Sequence, residues 1–187
     1  MLFNTIVPAL FFNVTVNLPI LFGPTAPGST LTYADLVTGT LISEPHFTPS
    51  IRATAIRGGD HITIDPPRTG ADAAASGDVA AVLRLNLDTT VKVDGSEEYI
   101  RIQAKGVELA TKAVMGVLTG VEGAGAVGYG EFAAGSTWTF ETGSAKYWDL
   151  QNSVFVGSTS LRPGNKGTVI VGFKIEKVVG KKTGTSV

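Results

Sequence analysis

Between Leu83 and Lys105 apolar and polar residues alternate almost without a break. Leu83, Leu85, Leu87, Thr89, Val91 and Val93 fall on one face of an extended segment, and Arg84, Asn86, Asp88, Thr90 and Lys92 on the other. Val93-Asp94-Gly95-Ser96 then supplies a hairpin turn, after which Ile100, Ile102 and Ala104 alternate against Tyr99, Arg101, Gln103 and Lys105. Successive side chains of a strand point to opposite faces, so a period of two held this long specifies a β-hairpin with one aliphatic and one polar side. Period alone leaves two arrangements open. Either the aliphatic face is interior and the charges meet water, or Arg84, Asp88, Tyr99 and Arg101 surround a polar lumen. In the second case the aliphatic face packs under a helix or against a second subunit.

Other strand-like runs recur at Leu10–Leu18, Asp35–Ile42, Ile51–Arg57, Asp60–Asp65, Ser136–Thr142, Ser153–Ser158 and Gly167–Val179. With the two arms of the hairpin, Ala80–Val93 and Glu98–Gly106, they predict an all-β fold, a closed or nearly closed antiparallel β-barrel. At 187 residues the chain fits a single domain able to bury a substantial core, and its 23 glycines and 9 prolines are spread as turns require. One short helix is expected over Val107–Leu118, where Val107, Ala110, Val114 and Leu118 share a face and Glu108 stands four residues before Lys112. The glycine-rich GVEGAGAVGYGEF that follows reads as an irregular, mobile loop.

Charged residues make up only 17% and the formal net charge is −1, so no concentrated basic surface exists for nucleic acid. The absence of cysteine removes disulfides, thiol nucleophiles and thiolate metal sites. Two histidines, His46 and His61, cannot build a three-histidine zinc site, and no ligand spacing points to a metal. Met1–Phe22 is apolar, but it lacks a basic start and is interrupted by Pro8, Asn13, Asn17 and Pro19. It therefore reads as a first strand rather than a secretory signal or membrane helix, and a cytoplasmic protein is expected. No Gly-x-Gly-x-x-Gly follows a strand and opens a helix, and neither a Walker-type lysine nor Gly-x-Ser-x-Gly occurs. What these side chains support without a cofactor is proton transfer.

Five places could carry such chemistry. Gly58-Gly59-Asp60-His61 would turn tightly and set a carboxylate and an imidazole at a strand mouth, on opposite faces if both are extended. Asp88, amid apolar residues, needs Arg84 or Arg101 as partner, either as a register-fixing ion pair or as an oriented general base. Glu141 is a barrel-closing ion pair or cap, or else a proton donor beside an aromatic-lined cavity, where burial would raise its pKa. Trp138, Tyr147 and Trp148 are core aromatics or ligand stackers. Tyr99 could hydrogen-bond a substrate carbonyl.

Several elements in order also resemble a known family, the small barrel proteins catalogued as domain of unknown function 3237. They are Leu21-Phe22-Gly23-Pro24-Thr25-Ala26-Pro27-Gly28, the Gly39 strand, Gly58-Gly59-Asp60, Leu87-Asp88 with Asp94-Gly95, Tyr99 to Gly106, Phe140-Glu141-Thr142-Gly143, and Tyr147 through Phe155-Val156-Gly157. The resemblance implies an antiparallel barrel with a central pocket, often dimeric. Thr90, Asp149, Gln151 and the insertion Pro66–Gly77 depart from the family pattern, as in a member with its own substrate. The expectation is a cofactor-independent enzyme, a homodimer, that holds a small, mostly apolar oxygenated molecule in the barrel. It would catalyse isomerisation, cyclisation or dehydration, for example of a polyketide-type intermediate. Asp88, Glu141, His61 and Asp60 would move protons, and Arg84, Tyr99, Arg101, Trp138 and Tyr147 would bind substrate. A non-catalytic ligand-binding barrel and a filled structural dimer are the alternatives.

Overall fold

A sheet with one apolar face can bury it by curling onto itself, and this chain does so. The computed structural model describes residues 4–25, 28–66, 78–165 and 167–180. Among them are nine strands: β1 (Thr5–Asn17), β2 (Ile20–Pro24), β3 (Thr30–Ser43), β4 (Arg52–Asp65), β5 (Val79–Val93), β6 (Tyr99–Thr111), β7 (Ala134–Thr142), β8 (Phe155–Pro163) and β9 (Thr168–Val179). They form one sheet in the order β1-β9-β8-β7-β6-β5-β4-β3-β2, every pairing antiparallel. Pairing of β1 with the second half of β3 closes eight strands into a barrel, and β2 is an added strand on the first half of β3. Eight strands leave an interior that side chains just fill, or that holds one small ligand.

The aliphatic face of the long hairpin is the interior one. Leu83, Leu87, Val91, Ile100 and Ile102 are buried, while Arg84, Asp88, Tyr99 and Arg101 stand on the outer wall. The polar-lumen arrangement is thereby excluded, because the inward positions of β5 and β6 are taken by aliphatics. An aromatic cluster fills one end. Trp138 packs on Phe173 at 4.9 Å between ring centroids and edge-on to Phe12 at 6.2 Å, and Phe140 meets Phe155 at 5.2 Å. A 3₁₀ turn (Ala145–Tyr147) and the single-turn helix α2 (Trp148–Gln151) close that end with buried Tyr147 and Leu150. Helix α1 (Lys112–Leu118) covers the other end with Val114 and Val117.

Four details differ from the sequence reading. The runs 51–57 and 60–65 are one strand, β4, broken by a bulge at Ile56, where the register against β5 shifts between Ala55 and Arg57. Gly58-Gly59 therefore lies inside a strand, not at its mouth. β2 was not anticipated as a strand; its apolar residues lie exposed beside the barrel and show no alternation in burial. The helix begins only at Lys112, because β6 continues its alternation to Thr111. There the threonine side chain caps the helix, accepting a hydrogen bond from the Val114 N–H at 3.3 Å. The glycine-rich segment after α1 is irregular, as read, and largely exposed, but it is pinned to the wall at two buried side chains. β7 and β8 pair at only three positions, and beyond them Val127 and Leu161 exchange backbone hydrogen bonds of 2.7 and 2.9 Å, with Val127 and Phe132 buried. Of the insertion 66–77, all but Pro66 lies outside the described residues. No helix among the described residues is long and apolar enough to cross a membrane.

Candidate active site

Two carboxyl groups point into the barrel. The bulge in β4 changes which parity of residue faces inward: Ala53 and Ala55 are interior before it, Asp60 and Ile62 after it, and Ile56 and Arg57 are both exposed between them. Gly58 has φ of +135°, and a Cβ there would come within 2.4 Å of the Asp88 carbonyl oxygen. Only glycine fits that place. Asp60 thus reaches the interior at 8% exposure, with its Oδ1 accepting the Asn86 N–H at 2.8 Å. Glu108 arrives by simple alternation along β6, on the inward face of Ile100, Ile102 and Ala104, at 3% exposure. Its Oε1 is buried without a hydrogen-bond partner.

Both groups line one cavity of about 40 Å³ beneath α1, together with Thr159 of β8. The remaining wall is apolar, with Val14, Ala34, Leu83, Leu87, Leu118 and Phe173 among its residues. Burial pushes Asp60 up to about 7; the hydrogen bond from Asn86 opposes this and the nearby Glu108 adds to it. Burial likewise pushes Glu108 up to about 7, with the Thr159 hydroxyl acting in the opposite sense. Each carboxyl is thus poised to give or take a proton near neutrality, and proximity links their titrations. An open groove of about 360 Å³ lies outside, between α1 and the β1–β2–β3 region, and Ile62 and Leu118 line both it and the cavity.

The other candidates lie elsewhere. Asp88, Arg101 and Glu141 do come together, but on the outer wall. Arg101 binds Asp88 through Nε at 3.1 Å and Nη2 at 2.5 Å, and Glu141 through Nη1 at 3.0 Å, with about half of each side chain exposed. The Arg101 guanidinium holds Asp88 below the usual carboxylate range. Arg84 pairs with Asp65 instead, also on the surface. His61 points out from β4, its ring centroid 4.7 Å from that of Tyr33. Tyr99 is exposed, with the Lys92 ammonium 5.9 Å above its ring. Trp138 and Tyr147 are buried in the packed aromatic end, Trp138 donating to Ser136 Oγ at 2.8 Å, and Trp148 is exposed. Of the sequence candidates, Asp60 alone reaches the cavity. Glu108 was missed as a site residue because it was assigned to a helix; continuing the alternation of Ile100, Ile102 and Ala104 by two steps would have found it. Among the described residues no three His, Asp or Glu side chains gather as a metal site.

Fold and cavity together define a closed β-barrel with an acidic internal pocket. The chain belongs to the family described as protein of unknown function (DUF3237), whose model matches residues 4–176. No curated protein matches it. A conserved protein of unknown function from Rhodopseudomonas palustris is similar in structure, with TM-score 0.72, 13% identity, and 96% of this chain and 100% of that one covered. A protein of unknown function from Clostridium acetobutylicum has TM-score 0.66 and 18% identity, over 94% and 99% of the two chains. A structure described as an enzyme from Penicillium herquei has TM-score 0.52 and 15% identity, over 92% and 94%. At these identities the likenesses show the shared fold.

Proposed function

We propose that the protein binds a small, mostly apolar oxygenated molecule at the cavity beneath α1 and moves protons on it with Asp60 and Glu108. The observation that carries this is two carboxyl groups, both buried, in one otherwise apolar cavity, with one oxygen lacking any partner. A fold seldom keeps such a group without use, since an unsatisfied buried polar atom costs roughly 1–3 kcal/mol. Near neutral pH one carboxyl can hold a proton while the other accepts one, the acid–base division that isomerisation, cyclisation or dehydration needs. Acid–base help of this kind contributes about 10²–10⁴-fold. The description of the Penicillium herquei relative as an enzyme agrees with catalysis on this fold.

The test is turnover of a panel of oxygenated carbonyl compounds by purified protein. Asp60→Asn and Glu108→Gln are expected to lower turnover at least about a hundredfold while retaining binding, within the range for acid–base groups. Asp88→Asn and Glu141→Gln, on the outer wall, are expected to leave it unchanged. Full activity in both interior variants, or its loss in either outer one, overturns the assignment. The small cavity, with room for one functional group rather than a whole substrate, favours a second reading: a binding protein whose carboxyls hold a ligand without reaction. Binding with no turnover across the panel selects it.

A further inference from the structure

The cavity beneath α1 is acidic and has no counter-charge. Asp60 enters from β4 and Glu108 from β6, while β1, β3, β5, β9 and α1 contribute only apolar side chains and β8 adds Thr159 and a leucine. No Lys, Arg, His or Tyr among the described residues lines it. A carboxylate or enolate placed there would meet no positive group, only carboxyls that are neutral or of its own sign. A cation would relieve the repulsion between them, and N–H donors would satisfy Glu108 Oε1, which is buried and unpartnered.

We infer that this cavity takes the ammonium head of an apolar primary amine, its N–H groups shared among Asp60, Glu108 and Thr159. An ammonium group is close to water in size, and about 40 Å³ holds one or two such groups. The apolar tail passes between Ile62 and Leu118 into the outer groove, whose walls include Leu18, Leu21 and Met115. Charge-assisted hydrogen bonds to carboxylates are roughly twice as strong as neutral ones, so the head selects by charge while the tail adds apolar contact. The inference rests on the reading of this cavity as the ligand site, not on the ligand being a carbonyl compound, and goes beyond it by assigning the charge of the group held there.

Calorimetry on the full chain with hexylamine, 1-hexanol and hexanoate tests it. At pH 8 hexylamine is expected to bind at least about tenfold tighter than hexanol, and hexanoate not detectably, as charge-assisted bonding implies. An alkylamine stays protonated throughout, with a pKa near that of lysine at about 10.4, so any change with pH belongs to the protein. At pH 5.5 Asp60 and Glu108 both take up protons, and the preference should shrink to about threefold or less. Asp60→Asn and Glu108→Gln should abolish it while leaving hexanol binding intact, and Glu141→Gln should preserve it. Equal binding of hexanol or hexanoate at pH 8, or an amine preference that survives both interior substitutions, overturns the inference. If hexanol alone binds, the charge assignment falls and the ligand site stands. If none of the three binds, both fall.

Discussion

Asp60 and Glu108 occupy positions where an ionised carboxyl costs the fold most, and that cost depends on pH. Both carry pKa values raised from the ordinary carboxylate range to about 7. The folded chain therefore keeps these protons to higher pH than the unfolded chain does. Between about pH 4 and pH 7 the native state binds more protons, so stability falls as pH rises through that window and levels off above it. At about 1.4 kcal/mol per unit, the cost is on the order of 2–4 kcal/mol per group as an upper bound. Urea midpoints are expected to fall from pH 5 to pH 8, and Glu108→Gln to flatten the slope and raise stability at pH 8. A slope unchanged in both Glu108→Gln and Asp60→Asn would place the titration elsewhere. The outer cluster behaves differently. Asp88 is held low by Arg101, so its small contribution is present at neutral pH and lost in acid. Because water screens half-exposed pairs, Arg101→Met is expected to cost less than about 1 kcal/mol in urea unfolding, and less still at high salt.

At the level of elements, the bulge in β4 decides which side chain of the Asp60-His61 pair enters the barrel. The sequence marks the place with Gly58-Gly59 and puts Asp60 and His61 on opposite faces, but it does not say which face is interior. That depends on the extra residue at Ile56, which turns one regular strand into two halves of opposite parity. A bulge has no period of its own, so the run was legible as two short strands and not as one bent strand. Glu108 escaped for a related reason: Val107, Ala110, Val114 and Leu118 fit a helical face, yet the strand alternation of β6 continues through the same residues until Thr111 caps α1. Two changes follow at this scale. Deletion of Ile56 would remove the bulge and join the two halves by unbroken alternation, with Ala53, Ala55, Asp60 and Ile62 all still inward, so a single cooperative urea-unfolding transition is expected to persist; its loss would mean that the bulge itself is needed to close the barrel. Gly58→Ala meets both a disfavoured φ and the Asp88 carbonyl, and a loss of about 2–4 kcal/mol is expected, measured by urea unfolding.

Across the whole molecule the barrel was legible because its cause is repetitive: alternating runs with turns between them must bury one face, and closure does so without leaving a long apolar sheet exposed. What filled the barrel was harder to read. The same alternation permits charges inside or outside; the inward aliphatics of β5 and β6 decide it, with Phe12, Trp138, Phe140, Phe155 and Phe173 packed toward one end and the cavity lying beneath α1. Helix α1 thus stands between the cavity and the open groove outside it. Leu118 is half-buried, faces the cavity on one side and the outer groove on the other, and shares that position with Ile62. Ile62 is fixed in a paired strand, whereas Leu118 ends a helix of 7 residues that is followed by Gly120 at φ +68°. Opening is therefore expected at Leu118. Truncation to alanine removes three carbons from a partly buried site and should cost about 1–3 kcal/mol, below the range for a fully buried leucine. It should also join cavity and groove, so stopped-flow measurement of hexanol uptake is expected to show faster association in Leu118→Ala than in the unaltered chain. An unchanged association rate, with the stability loss present, would mean that ligands reach Asp60 and Glu108 by another path.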